Sequence, residues 1–212
     1  MTDAFARVIG PIIQHVLEFQ RSVSQGHHPG LEAERAELLA LLDTAEQKAD
    51  ASRDTADAFP LARHALIYWI DEVLINSGWA HAPDWRNHIL EWDFYRERLG
   101  GERFYEMSRE AESKANADAL EAYFLCVGLG FRGQHSHAPR ELQAWSERVY
   151  QRIAESARNP DHFLPNDPKG GDGRPLQPLP GPSILLAVSV LASASLLVSL
   201  ACYILVTGLA VS

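Results

Sequence analysis

Apolar residues recur at three- and four-residue intervals through most of the chain before residue 157, the spacing that lines one face of an α-helix. Between Asp3 and Gln25 they fall at Phe5, Val8, Ile9, Ile12, Ile13, Val16, Leu17 and Phe19, and Gly26 supplies a stop. Leu31 to Ala51 repeats the pattern through Leu31, Leu38, Leu39, Leu41 and Leu42 on a charged background. His27-His28-Pro29-Gly30 between the two stretches then reads as the turn of a helical hairpin. A third helix, about Pro60 to Asn76, carries Leu61, Ala65, Leu66, Tyr68, Trp69, Ile70, Val73, Leu74 and Ile75 and has little polar face, which predicts a central position. Pro83 opens a fourth through Trp85, Ile89, Leu90, Trp92 and Phe94. Gly100-Gly101 breaks the chain before a short, charged fifth helix beginning at Phe104, Tyr105 and Met107. Leu120 to Phe131 is a buried sixth, Arg132 to Pro139 a loop, and Leu142, Trp145, Val149 and Ile153 mark a seventh. No stretch alternates with the period of two that a half-buried strand requires. The body, residues 1–157, is predicted to be all-α with about seven helices.

The pattern changes twice beyond that body. Asn159 to Pro182 holds seven prolines and few apolar residues, too little to bury a core, so 158–183 reads as a stiff linker. From Pro175 to Ser212 no residue is charged, and 184–210 (ILLAVSVLASASLLVSLACYILVTGLA) is apolar almost throughout. As a helix that run reaches about 40 Å, against roughly 30 Å of bilayer hydrocarbon, and is predicted to span the membrane. Lys169 and Arg174 precede it and no basic residue follows, which favours the body on the cytoplasmic side and the C-terminus on the opposite one. Ser189, Ala192, Ser193, Ser195 and Ser199 concentrate small residues in the span, where they either let a neighbouring helix approach or bond their own backbone.

Charge narrows the class of partner. The 28 acidic and 19 basic residues all precede the span and leave a net charge of −9, which argues against nucleic acid and for a protein or basic peptide surface. Cys126 and Cys202 lie in different environments and imply no disulfide.

Four segments in order carry a resemblance: Ala65-Leu66-Ile67-Tyr68-Trp69-Ile70-Asp71-Glu72-Val73-Leu74-Ile75-Asn76-Ser77-Gly78-Trp79; Trp85 with Phe94; Gly100-Gly101-Glu102-Arg103-Phe104-Tyr105; and Leu125-Cys126-Val127-Gly128-Leu129-Gly130-Phe131-Arg132-Gly133. With the apolar tail they resemble the DotU/TssL family over roughly residues 5 to 210. The family commonly has Arg-Tyr after its Gly-Phe-x-Gly turn, where Gln134-His135 stand here, and roles for those positions do not carry over. Some members continue beyond the membrane into a peptidoglycan-binding domain, and this sequence resembles the short form. The resemblance implies a hook-shaped helical domain of two small bundles. It further implies a structural, non-catalytic inner-membrane subunit of a type VI secretion system, or of the related type IVB machine. Such a subunit pairs with an IcmF/TssM-like membrane protein and presents its body to TssK/TssE-like baseplate proteins; the neighbour of its span is either that membrane protein or a second copy in a homo-oligomer.

The same residues have physical readings of their own. Asp71 and Glu72 lie late in the most apolar helix, where the macrodipole disfavours negative charge by roughly 0.3–1 kcal/mol. Either they are solvated or paired with Arg63 or Arg86, or they form an acidic contact in a cleft facing a partner. Shared acid–base catalysis is disfavoured because adjacent helical residues point about 100° apart. Trp79, Trp85, Trp92, Phe94, Phe104 and Tyr105 are expected to cement the sub-bundles, with any exposed subset serving as a partner hot spot. Gly100 and Gly101 are expected to adopt positive φ at a helix junction. His135-Ser136-His137, two residues apart with no nearby Cys or Asp, reads as a polar loop and not a metal site, and no metal or cofactor is expected. A tail-anchored helical enzyme acting on a membrane-proximal substrate is the competing class, and it requires a concave pocket with perturbed titratable groups.

Overall fold

A computed structural model describes residues 1–158, and every regular element among them is helical. Nine α-helices follow in order: α1 Asp3–Ser24, α2 Leu31–Asp50, α3 Arg53–Ala56, α4 Phe59–Asn76, α5 Ala82–Trp85, α6 Leu90–Tyr95, α7 Gly100–Ser113, α8 Ala117–Gly128 and α9 Pro139–Arg158. A 3₁₀ turn at Gly133–His135 separates α8 from α9. Among the described residues no helix is long and apolar enough to cross a membrane. The chain from Asn159 onward, with most of the predicted linker and the whole predicted span 184–210, lies outside the described residues.

The predicted centrality of α4 follows from its composition. It buries Leu61, Ala65, Leu66, Trp69, Ile70 and Leu74 among others, on all sides, and packs against α1, α2, α5, α6, α7 and α8. The amphipathic α1 and α2 pack together on one flank, while α7, α8 and α9 pack among themselves on the other. Both groups share α4 and one continuous hydrophobic core. Tyr123 in α8 donates its hydroxyl to the Leu61 carbonyl in the first turn of α4 at 2.9 Å, a buried bond that fixes the two helices.

Three local details depart from the pattern reading. The helix expected from Pro83 to Phe94 is two short helices, α5 and α6, because the chain turns at 86–89 to bring Leu90 back against α4. The break before α7 occurs at 96–99, where Arg96 takes a left-handed φ of 58°, and Gly100-Gly101 instead form the first turn of α7. Neither glycine has positive φ; both are needed for close approach. A Cβ on Gly100 would stand 2.8 Å from a Glu91 carboxylate oxygen and 2.9 Å from the Tyr68 ring. One on Gly101 would stand 3.3 Å from the Gln134 backbone nitrogen, so α7 starts directly against the 3₁₀ turn.

Candidate functional site

The acidic pair on α4 occupies two different environments, as its roughly 100° angular offset requires. Asp71 is 5% exposed. Its carboxylate accepts from the Trp85 indole N–H at 2.9 Å and from the backbone N–H groups of Leu90 at 3.0 Å and Glu91 at 2.8 Å. Those two amides open α6, whose own cap position is Ile89 and offers no side-chain acceptor. Burial pushes the Asp71 carboxyl up to about 6, against the opposing effect of its three donors. Glu72, half-buried, accepts from Arg132 N–H at 2.7 Å and Gly133 N–H at 2.9 Å, the amides that open the 3₁₀ turn.

A third carboxylate repeats the device. Glu91, buried in the first turn of α6, accepts from the backbone N–H groups of Leu99 and Gly100 where α7 begins. Its pKa is raised by burial, with the backbone amides opposing. Leu99 occupies the cap position of α7 and cannot accept either. Three helical segments that start without a local capping residue thus receive a remote acid, which satisfies amides that would otherwise be orphaned. The placement of Asp71 and Glu72 against the α4 dipole is explained by the N-termini they serve. Neither pairs with the arginines considered from sequence: Arg63 bridges to Glu46, and Arg86 has no carboxylate partner among the described residues. Glu91 was not singled out from sequence. Its signal, helix starts after Ile89 and Leu99 with no Ser, Thr, Asp or Asn to cap them, becomes visible only once the fold shows where α6 and α7 begin.

The aromatic residues divide in two. Trp79, Trp85, Phe104 and Tyr105 are buried. Trp79 donates its indole N–H to the Pro29 carbonyl at 2.8 Å and meets Phe19 edge-on at 5.2 Å, tying the α1–α2 turn to the α4–α5 turn. Phe104 stacks on Phe131 at 4.0 Å, and Tyr105 meets Trp145 edge-on at 5.4 Å while donating its hydroxyl to the Arg132 carbonyl at 2.8 Å. Trp92 alone of the tryptophans is exposed, at 42%.

The surface beside Glu72 is a shallow cleft of about 120 Å³, formed with Gln20, Val73, Asn76, Ser77 and Leu129 at the C-terminal ends of α1, α4 and α8. A larger groove of about 420 Å³ runs along α1, where Ile9, Ile13, Leu17 and Leu125 make it mainly apolar.

A family model described as type VI secretion system protein DotU matches residues 4–208. The chain belongs to the DotU family. It is therefore a component of a type VI secretion system, as the sequence resemblance implied. The DotU fold is seen independently in the cytoplasmic domain of TssL from Acinetobacter baumannii, with a TM-score of 0.64 at 22% identity, covering 72% of this chain and 98% of that one. No curated protein matches the chain significantly.

Within this DotU-family body the remaining sequence candidates fall as follows. His135 lies 3.2 Å from a Glu141 oxygen and edge-on to Tyr105 at 4.4 Å, which accounts for its position in the loop. Among the described residues no group of three histidine, cysteine, aspartate or glutamate side chains is placed to hold a metal ion. Cys126 is fully buried, and burial pushes its thiol well above the ordinary range. Ser189, Ala192, Ser193, Ser195 and Ser199 lie outside the described residues.

Proposed function

We propose that this chain is a structural inner-membrane subunit of a type VI secretion system, held by a single span at 184–210 with its body in the cytoplasm and its C-terminus in the periplasm. It links an IcmF/TssM-like membrane partner to TssK/TssE-like baseplate proteins. The observation that carries this reading is the extent of the DotU match: it covers the helical body and continues through most of the charge-free apolar run as one unit, residues 4–208. A run of that length without charge suits a span, and its small residues Ser189, Ala192, Ser193, Ser195 and Ser199 suit close packing against the IcmF-like partner or a second copy. The DotU match favours this reading over a tail-anchored enzyme.

On the body, the cleft beside Glu72 is the proposed baseplate contact. Of the acidic pair only Glu72 lines it, and the oxygens of both already serve internal donors. Charge reversal at the pair would disturb folding and binding together. Exposed Asn76 on the cleft rim makes the cleaner probe. Asn76→Arg is expected to reduce capture of the TssK-like baseplate protein by the detergent-solubilised chain about tenfold at unchanged thermal stability. Unchanged capture would remove the cleft from the account.

A further inference from the structure

The body's exposed tryptophan lies in an unusual electrostatic setting. Trp92 projects from α6, with the Arg96 guanidinium 5.9 Å and the Arg98 guanidinium 5.8 Å from its ring centroid. Leu99, 52% exposed, follows directly, and Arg86 lies on the loop that Arg98 binds. None of these three arginines has a carboxylate partner among the described residues. The acids nearest in sequence face other partners: Asp84 lies 3.6 Å from His81, Asp93 pairs with Arg35, Glu97 with Arg103, and Glu91 with the start of α7. On a chain of net charge −9, two arginines without a carboxylate partner flank one open aromatic, and a third, Arg86, lies on the adjoining loop.

The patch is also rigid. Arg98 donates to the Arg86 carbonyl at 2.9 Å and lies 3.5 Å from that of Asn87, Arg96 closes α6 in a left-handed conformation, Asp71 holds the N-terminal end of α6, and Glu91 ties that end to the start of α7. Side chains fixed in advance lose less entropy when they bind. Arginine forks match carboxylates, and tryptophan and arginine are, with tyrosine, the residue types enriched at energetic hot spots.

We propose that Trp92, Leu99, Arg86, Arg96 and Arg98 form a docking surface for an acidic, aromatic- or leucine-bearing segment of a partner protein. Charge complementarity selects the occupant: its carboxylates meet the three arginines while its apolar side chain covers the open edge of Trp92 and Leu99. An anionic lipid surface is the competing occupant. The fixed geometry and the acidic body around the patch favour a discrete peptide over a diffuse lipid layer, because a strongly acidic domain is repelled by anionic lipid everywhere else.

The other four tryptophans are buried, so Trp92 dominates quenching of the chain's fluorescence by acrylamide. The test uses the full chain in phosphatidylcholine nanodiscs, titrated with a short peptide of repeated Glu-Glu-Phe units, with its Lys-Lys-Phe counterpart, and in parallel reconstituted with phosphatidylglycerol and no peptide. The acidic peptide is expected to protect Trp92 saturably, with affinity weakened about tenfold by the double variant Arg86→Glu/Arg96→Glu, and the basic peptide is expected to give no protection. Trp92→Phe, which keeps the fold, is expected to abolish the quenching change and so assigns the signal. Absence of protection by the acidic peptide, or equal protection by the basic one, overturns the proposal. Protection by phosphatidylglycerol alone assigns the patch to lipid and overturns it equally.

Discussion

At the end of α4 two carboxylates stand against the helix dipole and yet are among the best-satisfied side chains in the body. Asp71 holds three donors, and removing it leaves the Trp85 indole and the Leu90 and Glu91 amides unpaired and buried. Each unsatisfied donor costs about 1–3 kcal/mol. Asp71→Ala is therefore expected to destabilise the chain by about 3 kcal/mol or more in chemical denaturation, a loss that Asp71→Asn, which keeps an acceptor oxygen, should roughly halve. Because the Asp71 carboxyl is raised from 3.8 to about 6 on folding, the folded state keeps a proton that the unfolded chain has already released between those values. Stability from this residue thus falls as pH rises through that window and is flat above it. Asp71→Asn is expected to remove that slope from pH-dependent melts. His15 acts in a higher window. Its Nε2 lies 2.8 Å from a Glu34 oxygen, and that hydrogen bond raises its pKa above 6.5 against the cost of burial. The stabilisation is complete below pH 6.5 and is lost as pH rises through the folded value. His15→Gln is expected to flatten the melting profile there and leave the Asp71 window untouched.

Among the elements, the long helices were legible because each keeps a 3.6-residue apolar stripe, and α4 announced its centrality by having no polar face. What was not legible was the stretch from 86 to 101. A single stripe through Trp85, Ile89, Leu90 and Phe94 fits one helix. The chain folds as two because a remote carboxylate on α4 supplies the cap that Ile89 lacks, and local pattern cannot show a partner nineteen residues away. The glycines were legible as special positions but not for the right reason at Gly100-Gly101, where proximity and not positive φ is required. Gly133 needs both: its φ is 52°, and a Cβ there would meet the Gly101 carbonyl oxygen at 2.7 Å and the Phe131 ring at 2.9 Å. Gly133→Ala is expected to cost about 1–3 kcal/mol and to lower the melting temperature by several degrees. Gly10, inside α1 with nothing within 4 Å of a built Cβ, is the contrast: Gly10→Ala is expected to stabilise by about 0.5–1 kcal/mol. Differential scanning fluorimetry of both variants checks the pair, and a similar loss at the two positions would contradict the close-packing explanation.

For the whole molecule, the fold belongs to one family and its chemistry is that of a frame. The carboxylates for which solvation, a local arginine and a partner contact were all open readings hold neighbouring helical segments in register. The side chains left free to meet a partner lie on the surface those helices support: the rim of the cleft near Asn76 and the arginine-flanked Trp92. The sequence showed the acidic pair as anomalous because charge in an apolar helix is visible in one dimension, whereas the amides that justify it come together only on folding. Helical body, proline-rich segment and charge-free tail together make the central claim one of bridging between a membrane partner and the baseplate. Its most direct measurement is three-component co-purification in mild detergent, with the IcmF-like protein as bait and the TssK-like protein as readout. TssK-like protein is expected to be recovered with the bait only when this chain is present in full, and to be lost when the chain is truncated after residue 183. Equal recovery in the absence of the chain would contradict it.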